Sequence, residues 1–544
     1  MEFSISGNFV DVHAREIYAA KISVADGRIA SIDRTSNPVD AVHGFIMPGF
    51  VDSHIHIESS MLLPCEFAKV AVNHGTVATV SDPHEIANVC GLDGVELMLR
   101  NASYTKFKFC FGAPACVPAT RFETAGAKLD VVETAKLLAD PRIGYLSEMM
   151  DFPGVLNSDP EVVAKIKAAL DLGKPVDGHA PGLRGAKAAK YVAAGITTDH
   201  ECCTREEAID KLTVGCKIAI REGSAARNFD ALQTLIDEHP ESCMLCSDDK
   251  HPDELLLGHI NQLVARAIDA GRDLMNVLTV ACVNPVNHYS LDVGLLRVGD
   301  PADFIVVDDL SQFNVTATYL NGELVSENGQ SLLTVSQPET VNQFSATPLV
   351  AQQLAIKAES STIRVMEAID GQLITNGLTR PCRIEDGMAT ADVENDILKI
   401  VVCNRYSTTE PSVAFVKGFG LKSGAIASSV AHDSHNIVAV GTNDDDLVAA
   451  INAVIEQQGG LSVFHNGAID VLPLPVAGLM STGSCEEVGE KYSVLNQQIE
   501  TMGTNLRAPY MTLSFMALLV IPSLKISDKG LFDVDKFDFV PLFV

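Results

Sequence analysis

Tryptophan is absent from this chain of 544 residues, and aromatic residues account for only 6% of it. Any flat aromatic ligand would therefore stack on Phe, Tyr, His or Met. Positive charge is also scarce, because 40 Lys and Arg face 70 Asp and Glu, and the formal net charge is −30. This balance argues against DNA, RNA or an anionic membrane as a partner and favours a small neutral or cationic substrate.

Signals for disulfides, export and membrane insertion are missing as well. The 13 cysteines are scattered, odd in number and without a Cys-x-x-Cys pair, which is typical of reduced thiols in the cytoplasm. No basic segment followed by an apolar one opens the chain, so we expect no signal peptide. The apolar segment 511–521 is too short to span a bilayer and precedes Pro522, so we expect it in a protein core.

The length and the strand pattern together predict three domains. Residues 1–44 and 286–340 contain short strands and turns, which predict a small β-sandwich domain split in sequence. Between them, residues 45–285 alternate eight apolar strands with helical stretches, as in a TIM-like (β/α)8 barrel. Residues 345–544 predict a C-terminal α+β domain. A doubly wound open sheet is the alternative for the central region, but it would not explain polar residues after strands 1, 4, 5, 6 and 8.

A His-x-His pair stands at the end of the first barrel strand, which is predicted at residues 45–51. Residues two apart in a strand point to the same face, so His54 and His56 project together. Neutral imidazole is the commonest protein ligand of transition metals. The alternative is a pair of surface histidines, but an apolar strand leads directly into this pair. The pattern therefore predicts half of a metal site.

Further candidate ligands follow other predicted strands, and barrel chemistry sits at these carboxyl ends. They are Glu148, His179, His200 and Asp248. Two cations held close together can activate water and polarise the bond it attacks, and Glu148 could bridge them. We expect Asp248 to act both as ligand and as proton shuttle. A mixed set of imidazoles and carboxylates suits Mn, Fe or Zn and does not choose among them.

Several segments resemble a known family. Residues 48–56, with His179, His200 and Asp248, resemble the amidohydrolase superfamily of metal-dependent hydrolases, and residues 299–303 are similar to its returning β domain. Within that superfamily, the resemblance is to the bacterial adenine deaminases. It is carried by four segments, 57–61, 81–89, 148–155 and 430–436, and it extends over essentially the whole chain.

The resemblance implies two divalent metal ions, with Mn(II) as the first choice and Fe(II) or Zn as alternatives. Many members of the superfamily use a carbamylated lysine after strand 4, whereas this chain has Glu148 there. The implied reaction is the hydrolytic deamination of adenine to hypoxanthine and ammonia in purine salvage. Hydroxide held at the binuclear centre attacks C6, as in deaminases acting on bases. The implied protein is cytoplasmic and a homo-oligomer, expected to be a dimer.

This reaction also requires an acid that protonates N1 of the purine, and the sequence leaves four candidates open: Glu201, Glu58, Glu85 and Glu222. A strict strand would point Glu201 away from His200. The candidates for substrate binding are Ser59, Asp82, His84, Arg221, Glu222, His432 and His435. Asp82, His84 and Glu85 could hold substrate or an extra cation, or they could form a hydrogen-bonded loop. His432 and His435 could close over the pocket, or they could belong to a polar turn.

Two other functions compete with this interpretation. One is another amidohydrolase activity on a cyclic amide or an N-acyl substrate. The other is a non-catalytic, metal-free binding protein, which is disfavoured because all six candidate ligands are present. Action on adenine within nucleic acid is disfavoured by the net charge of −30.

Overall fold

The structure is a computed structural model that describes residues 2–35, 44–334 and 339–544. Parts of the predicted β-sandwich, at residues 36–43 and 335–338, lie outside the described residues. Among the described residues, no helix is long and apolar enough to cross a membrane.

The strands fall into four groups along the chain. The first group is β1 (Glu2–Asp11), β2 (Glu16–Ala25), β3 (Arg28–Arg34) and β4 (Phe45–Pro48). The second is β5 (Phe50–Ile55), β6 (Thr76–Ser81), β7 (Lys108–Ala113), β8 (Ile143–Met149), β9 (Val176–Gly178), β10 (Thr198–Asp199), β11 (Lys217–Arg221) and β12 (Cys243–Cys246). The third is β13 (Phe304–Val307), β14 (Val315–Leu320), β15 (Glu323–Glu327) and β16 (Gln330–Ser331). The fourth is β17 (Ile356–Lys357), β18 (Thr362–Ala368), β19 (Thr375–Pro381), β20 (Arg383–Glu385), β21 (Met388–Thr390), β22 (Ile397–Cys403), β23 (Ser412–Lys417), β24 (Ala425–Ser428), β25 (Ile437–Gly441), β26 (Gly460–His465), β27 (Ala468–Pro473), β28 (Leu524–Ser527), β29 (Gly530–Asp533) and β30 (Asp538–Phe539).

The α-helices lie mostly between the strands of the second group and in the C-terminal region. Those before residue 290 are α1 (Pro64–Ala71), α2 (His84–Ala102), α3 (Val131–Leu138), α4 (Phe152–Asn157), α5 (Pro160–Asp171), α6 (Gly185–Ala193), α7 (Arg205–Leu212), α8 (Phe229–Leu232), α9 (Leu235–Glu238), α10 (Pro252–Leu257), α11 (Ile260–Asp269), α12 (Leu274–Leu278) and α13 (Asn284–Tyr289). The C-terminal ones are α14 (Asp444–Glu456), α15 (Cys485–Thr501) and α16 (Pro509–Phe515).

The first and third groups of strands form one continuous sheet, in the order β16-β15-β14-β13-β4-β1-β2-β3. The two distant parts of the sequence meet where β4 and β13 pair antiparallel, with Phe304 opposite Pro48. The strands of the predicted sandwich therefore lie side by side in one sheet. The chain leaves this sheet after β4 and re-enters it at β13.

The second group forms a parallel sheet that curls until its last strand meets its first. Its strands pair in chain order, β5 to β9 in one run and β10 to β12 in another. The runs are joined by a hydrogen bond from Thr197 N to Val176 O (2.8 Å). The sheet returns to β5 through a hydrogen bond from Asp248 N to His54 O (2.9 Å). The carboxyl ends of all its strands consequently face one side.

Two sequence predictions need correction here. The predicted strand 45–51 is two strands, because the chain passes from one sheet to the other at Gly49. A Cβ at Gly49 would lie 2.2 Å from Cγ1 of Val77, so the crossing requires glycine. The helix predicted at residues 96–102 begins much earlier, at His84, because Gly91 (φ 58°) interrupts its apolar period without ending it. His84 and Glu85 therefore open a helix and do not lie in a loop.

The C-terminal region is built on an eight-stranded sheet, in the order β19-β18-β23-β22-β25-β24-β26-β27. Helix α14 covers one face through Leu447, Ile451 and Val454. Segment 511–521 is buried, as predicted, and its Met511 and Phe515 pack against the loop after β11 at Ala225. Through this contact the C-terminal region covers the carboxyl ends of the curled sheet.

Candidate active site

His54 near the end of β5 and His56 just after the strand lie together with an aspartate from beyond β12. His54 Nε2 is 3.4 Å and His56 Nε2 is 3.2 Å from Oδ1 of Asp248. His56 Nδ1 lies 3.2 Å from the carbonyl oxygen of Asp82, which identifies Nδ1 as the donor and leaves Nε2 with a lone pair. All three side chains are buried. Their ligand atoms therefore converge as a metal ion requires.

Glu148 stands between this group and two further histidines. Its Oε2 lies 2.8 Å from His179 Nδ1 and 3.1 Å from His200 Nε2. Its Oε1 lies 3.6 Å from His56 Nε2. The rings of His54 and His200 stack with centroids 4.0 Å apart. The structure thus brings all six predicted ligands into one cluster around a central carboxylate.

Several buried nitrogen atoms of the cluster have no hydrogen-bond partner among the described residues. Within the part of the chain that the structure describes, both ring nitrogens of His54 and Nε2 of His179 are buried without a hydrogen-bond partner, which is unusual for polar atoms in a protein interior. Burial alone would lower the pKa of His56, but the adjacent Asp248 carboxylate raises it well above the ordinary value. Unpaired lone pairs beside buried carboxylates are what a bound metal would satisfy, so the donor set fits metal ions.

Glu201 joins the cluster, contrary to the orientation predicted from strand alternation. Strand β10 ends at Asp199, so the alternation does not extend to residue 201. Glu201 Oε1 lies 3.5 Å from His200 Nε2, and both of its oxygens contact the guanidinium of Arg221. Asp199 holds the turn, because its carboxylate accepts hydrogen bonds from Glu201 N (2.8 Å) and Ala180 N (3.0 Å). Burial raises the pKa of Glu201, but Arg221 outweighs it and keeps the carboxylate ionised.

The remaining predicted acids occupy different environments. Glu222 points away from the cluster and pairs with Arg266 (2.6 Å), so it is not part of the site. Glu58 Oε1 accepts a hydrogen bond from Ile86 N (3.2 Å), and burial raises the pKa of Glu58 to about 7. Neither residue lines the cavity described below. Their predicted contact with the substrate therefore has no support in this geometry.

Glu85 is held by two histidines of the C-terminal region. His432 Nδ1 lies 2.6 Å from Glu85 Oε1, and His435 Nε2 contacts the other oxygen. His435 Nδ1 accepts a hydrogen bond from Ala431 N (3.2 Å), so its proton sits on Nε2 and faces Glu85. Burial raises the pKa of Glu85, but His432 and His435 lower it well below its usual range.

A cavity lies above the cluster. On the side of the curled sheet it is lined by His56, His84, Glu85, Glu148, Met150, His179, Glu201, Asp248 and Asp249. On the other side it is lined by residues of the C-terminal region, namely Leu373, His432, Asp433, Phe515 and Leu518. The rings of His432 and Phe515 stack at 4.8 Å and 20°. The cavity thus combines apolar walls with several convergent polar groups, as ligand sites do.

Only some of the predicted substrate-binding residues line the cavity. His84 and His432 line the cavity, whereas Ser59 stands behind it and donates a hydrogen bond to Asp249 Oδ1 (2.5 Å). Arg221 is buried between Glu201 and Asp248 (2.8 Å), which places it beside the cluster.

Sequence reasoning missed Asp249, Asp433 and Phe515 as cavity residues. Asp249 follows a candidate ligand and Asp433 follows His432, so adjacency was a usable signal for both. Phe515 was interpreted only as core, because nothing in the sequence shows that helix α16 reaches the cavity.

Two family models match the chain. Residues 45–325 match the amidohydrolase family, and residues 372–538 match the adenine deaminase C-terminal domain. The first match covers more than half of the chain and includes all six clustered ligands. The chain therefore belongs to the amidohydrolase family.

Curated relatives narrow this assignment. A protein of Salinibacter ruber is 54% identical over 100% of this chain and 99% of its own length. Proteins of a Sulfurovum species (53%, 98% of this chain and 99% of its own) and of Methanosarcina barkeri (50%, 99% and 98%) are similar over the same extent. All three are named adenine deaminase, and at this identity the chain belongs to the adenine deaminases. The resemblance inferred from the sequence is confirmed.

Proposed function

We propose that the protein hydrolyses adenine to hypoxanthine and ammonia at a binuclear metal centre, as a step in purine salvage. The observation that supports this most directly is the six-ligand cluster beneath a cavity whose other wall is the C-terminal region. That region matches the adenine deaminase domain, and full-length relatives carry the same name.

Two divalent metal ions would be held by the clustered residues, with Mn(II) as first choice and Fe(II) or Zn as alternatives. His54, His56 and Asp248 would hold one ion, His179 and His200 would hold the other, and Glu148 would contact both. Such ions activate water as a nucleophile and stabilise developing negative charge.

Asp248 is placed to move protons during the reaction. Burial raises the pKa of Asp248, but Arg221 outweighs it and lowers the pKa well below the usual range. Asp248 is consequently an anion that lines the cavity. It would take a proton from the attacking water and give it to the departing amine, which is general acid–base catalysis.

Glu85 is our candidate for the acid that protonates N1. The acid must touch the substrate, and of the four carboxyl groups considered only Glu85 and Glu201 line the cavity. Glu201 is bound on both oxygens by Arg221, which cannot give up a proton in proteins. Glu85 is also an anion, because His432 and His435 lower its pKa, but these imidazoles can pass it the proton that it then delivers to N1.

We also propose a domain layout. Residues 45–285 would form a (β/α)8 barrel inserted into the sheet domain of residues 1–44 and 286–340, and residues 345–544 would close its mouth. The strand order and the β12-to-β5 hydrogen bond support the barrel. The expected partner is free adenine and no nucleic acid. The 13 scattered cysteines, without a Cys-x-x-Cys pair, support the expectation of a reducing cytoplasm, and a homodimer remains our expectation.

The decisive experiment is an adenine assay on protein from cells grown with added manganese and low iron. We expect hypoxanthine and ammonia in equal amounts, loss of activity with a chelator, and recovery with Mn(II). Dihydroorotate and hydantoins serve as controls for other amidohydrolase chemistry. Fully metallated protein that leaves adenine intact but opens a cyclic amide would overturn the proposal. Protein that binds no metal would point to a binding function instead.

A further inference from the structure

Asp82 and His84 lie beside the binuclear centre without belonging to it. Asp82 follows β6, and His84 is the first residue of α2. Both side chains are buried, with only 1% and 2% of their surface exposed. Neither is needed to hold the two ions proposed above, so their placement requires another explanation.

The two side chains are close together but do not satisfy each other. His84 Nδ1 lies 3.0 Å from Asp82 Oδ2, yet neither atom forms a hydrogen bond. The other oxygen of Asp82 accepts a hydrogen bond from the backbone N of His84 (3.1 Å), which fixes the carboxylate with Oδ2 free. His84 Nε2 faces the carboxylates of Glu85 and Asp433, which leaves the lone pair on Nδ1. Two unpartnered buried atoms that both carry lone pairs are costly at this distance unless a cation binds both.

The spacing of these atoms is that of ligands to one cation. Two atoms that each lie about 2.1 Å from a metal ion at a right angle are about 3.0 Å apart. His84 Nδ1 is also 3.6 Å from Glu148 Oε1, which in turn is 3.6 Å from His56 Nε2. The ligand atoms of His56, Asp82, His84 and Glu148 all lie within 4.8 Å of one another.

We propose that Asp82, His84 and Glu148 bind a further divalent cation next to the binuclear centre. One imidazole and two carboxylates suit a first-row transition metal such as Mn(II), Fe(II) or Zn(II). Glu148 is shared with the centre, so this proposal rests on the proposed function for the identity of the neighbouring ions. Asp82 and His84 are the ligands that belong to the further site alone.

Local charge favours this position for a cation. His84 Nε2 lies 3.4 Å from Glu85 Oε1 and 3.9 Å from Asp433 Oδ1. These carboxylates add negative charge on the cavity side, where they would offset the additional positive charge. The further cation would therefore border the cavity between the barrel and the C-terminal region.

The test is anomalous diffraction and metal analysis on the full chain loaded with Mn(II). We expect an anomalous peak between Asp82 Oδ2 and His84 Nδ1, and about three manganese ions per chain. Asp82→Asn should remove one ion and that peak while the other two peaks remain. Glu222→Gln is the control, because Glu222 is a carboxylate that pairs with Arg266 outside the cluster, and its metal count should not change.

Wild-type crystals alone decide the proposal if the variant does not fold. Two ions per chain at saturating manganese, with no peak at Asp82 and His84, would overturn it. An unchanged metal count in Asp82→Asn would also overturn it. Failure of the further site and failure of the proposed function give different results. Protein that deaminates adenine but binds only two metal ions would refute the further site alone. Protein that binds three metal ions but does not deaminate adenine would refute the deaminase proposal alone.

Discussion

Glu148 is the residue on which both halves of the cluster depend. Its two oxygens face different histidines, so an amide in its place would present one weak ligand atom and one donor. We expect Glu148→Gln to lower metal affinity by more than about 10-fold, since even outer-shell changes have effects of that size. Metal analysis after gel filtration measures this loss. Glu222→Gln is the control, because Glu222 pairs with Arg266 outside the cluster and its metal content should stay at the wild-type value.

The roles of Glu85 and Glu201 can be distinguished by replacing each of them with glutamine. Glu85→Gln should lower kcat for adenine by about 10²–10⁴-fold, because general acids contribute that much. Metal content should be unchanged. Glu201→Gln should instead lower the free energy of unfolding by about 3 kcal/mol, since it removes one partner of a buried ion pair. Near-normal kcat in Glu85→Gln, measured by hypoxanthine formation, would exclude Glu85 as the acid.

The six clustered ligands could be located from sequence because two simple regularities apply to them. Strand period places His54 and His56 on one face, and barrel topology gathers residues that follow different strands. The orientation of Glu201 was predicted wrongly because β10 ends two residues earlier. Phe515 was missed because its contact with His432 joins parts of the chain whose proximity no local pattern encodes.

At the scale of elements, the break between β4 and β5 depends on Gly49. A Cβ there would lie 2.2 Å from Val77 Cγ1 and 2.6 Å from Cγ2. We expect Gly49→Ala to destabilise the protein by about 1–3 kcal/mol, as overpacking does. Val77→Ala removes the colliding methyl groups, so the double variant should be more stable than the sum of the two single changes predicts. Additive effects in denaturant unfolding would show that the clash is not the cause.

Strand β28 carries a buried lysine that anchors one wall of the cavity. Lys525 Nζ donates hydrogen bonds to the carbonyl oxygens of Leu373 (2.7 Å) and Phe515 (2.9 Å). Burial lowers the pKa of Lys525 to about 7. Between that value and the unfolded pKa of about 10.4, the unfolded chain binds more protons, so this group makes stability rise with pH.

Lys525→Met should remove this contribution. We expect the free energy of unfolding of the wild type to rise relative to that of the variant as the pH rises from about 7 to about 9.5. Thermal unfolding midpoints at several pH values measure it, and comparison with the variant cancels the titration of all other groups. A difference that does not change with pH would mean that Lys525 stays protonated in the folded protein.

For the whole molecule, the main consequence of the fold is that the active site belongs to two distant parts of the chain. The barrel side contributes the clustered ligands, and the C-terminal region contributes the apolar wall formed by Leu373, Phe515 and Leu518. Glu85 and His432 connect the two sides directly. We therefore expect the C-terminal region to form part of the binding site, because its residues line the cavity opposite the clustered ligands.

Phe515→Ala tests this joint construction. The ring stacks on His432 and lines the cavity, and stacking of a base on an aromatic side chain contributes about 1–3 kcal/mol. We expect KM for adenine to rise by about 5–150-fold, with metal content unchanged because no ligand is altered. Tyr104→Ala is the aromatic control, since Tyr104 is 46% exposed and does not line this cavity. An unchanged KM in both Phe515→Ala and Tyr104→Ala would contradict this prediction. The C-terminal wall would then not contact the purine, and the substrate would be bound by the side of the curled sheet alone.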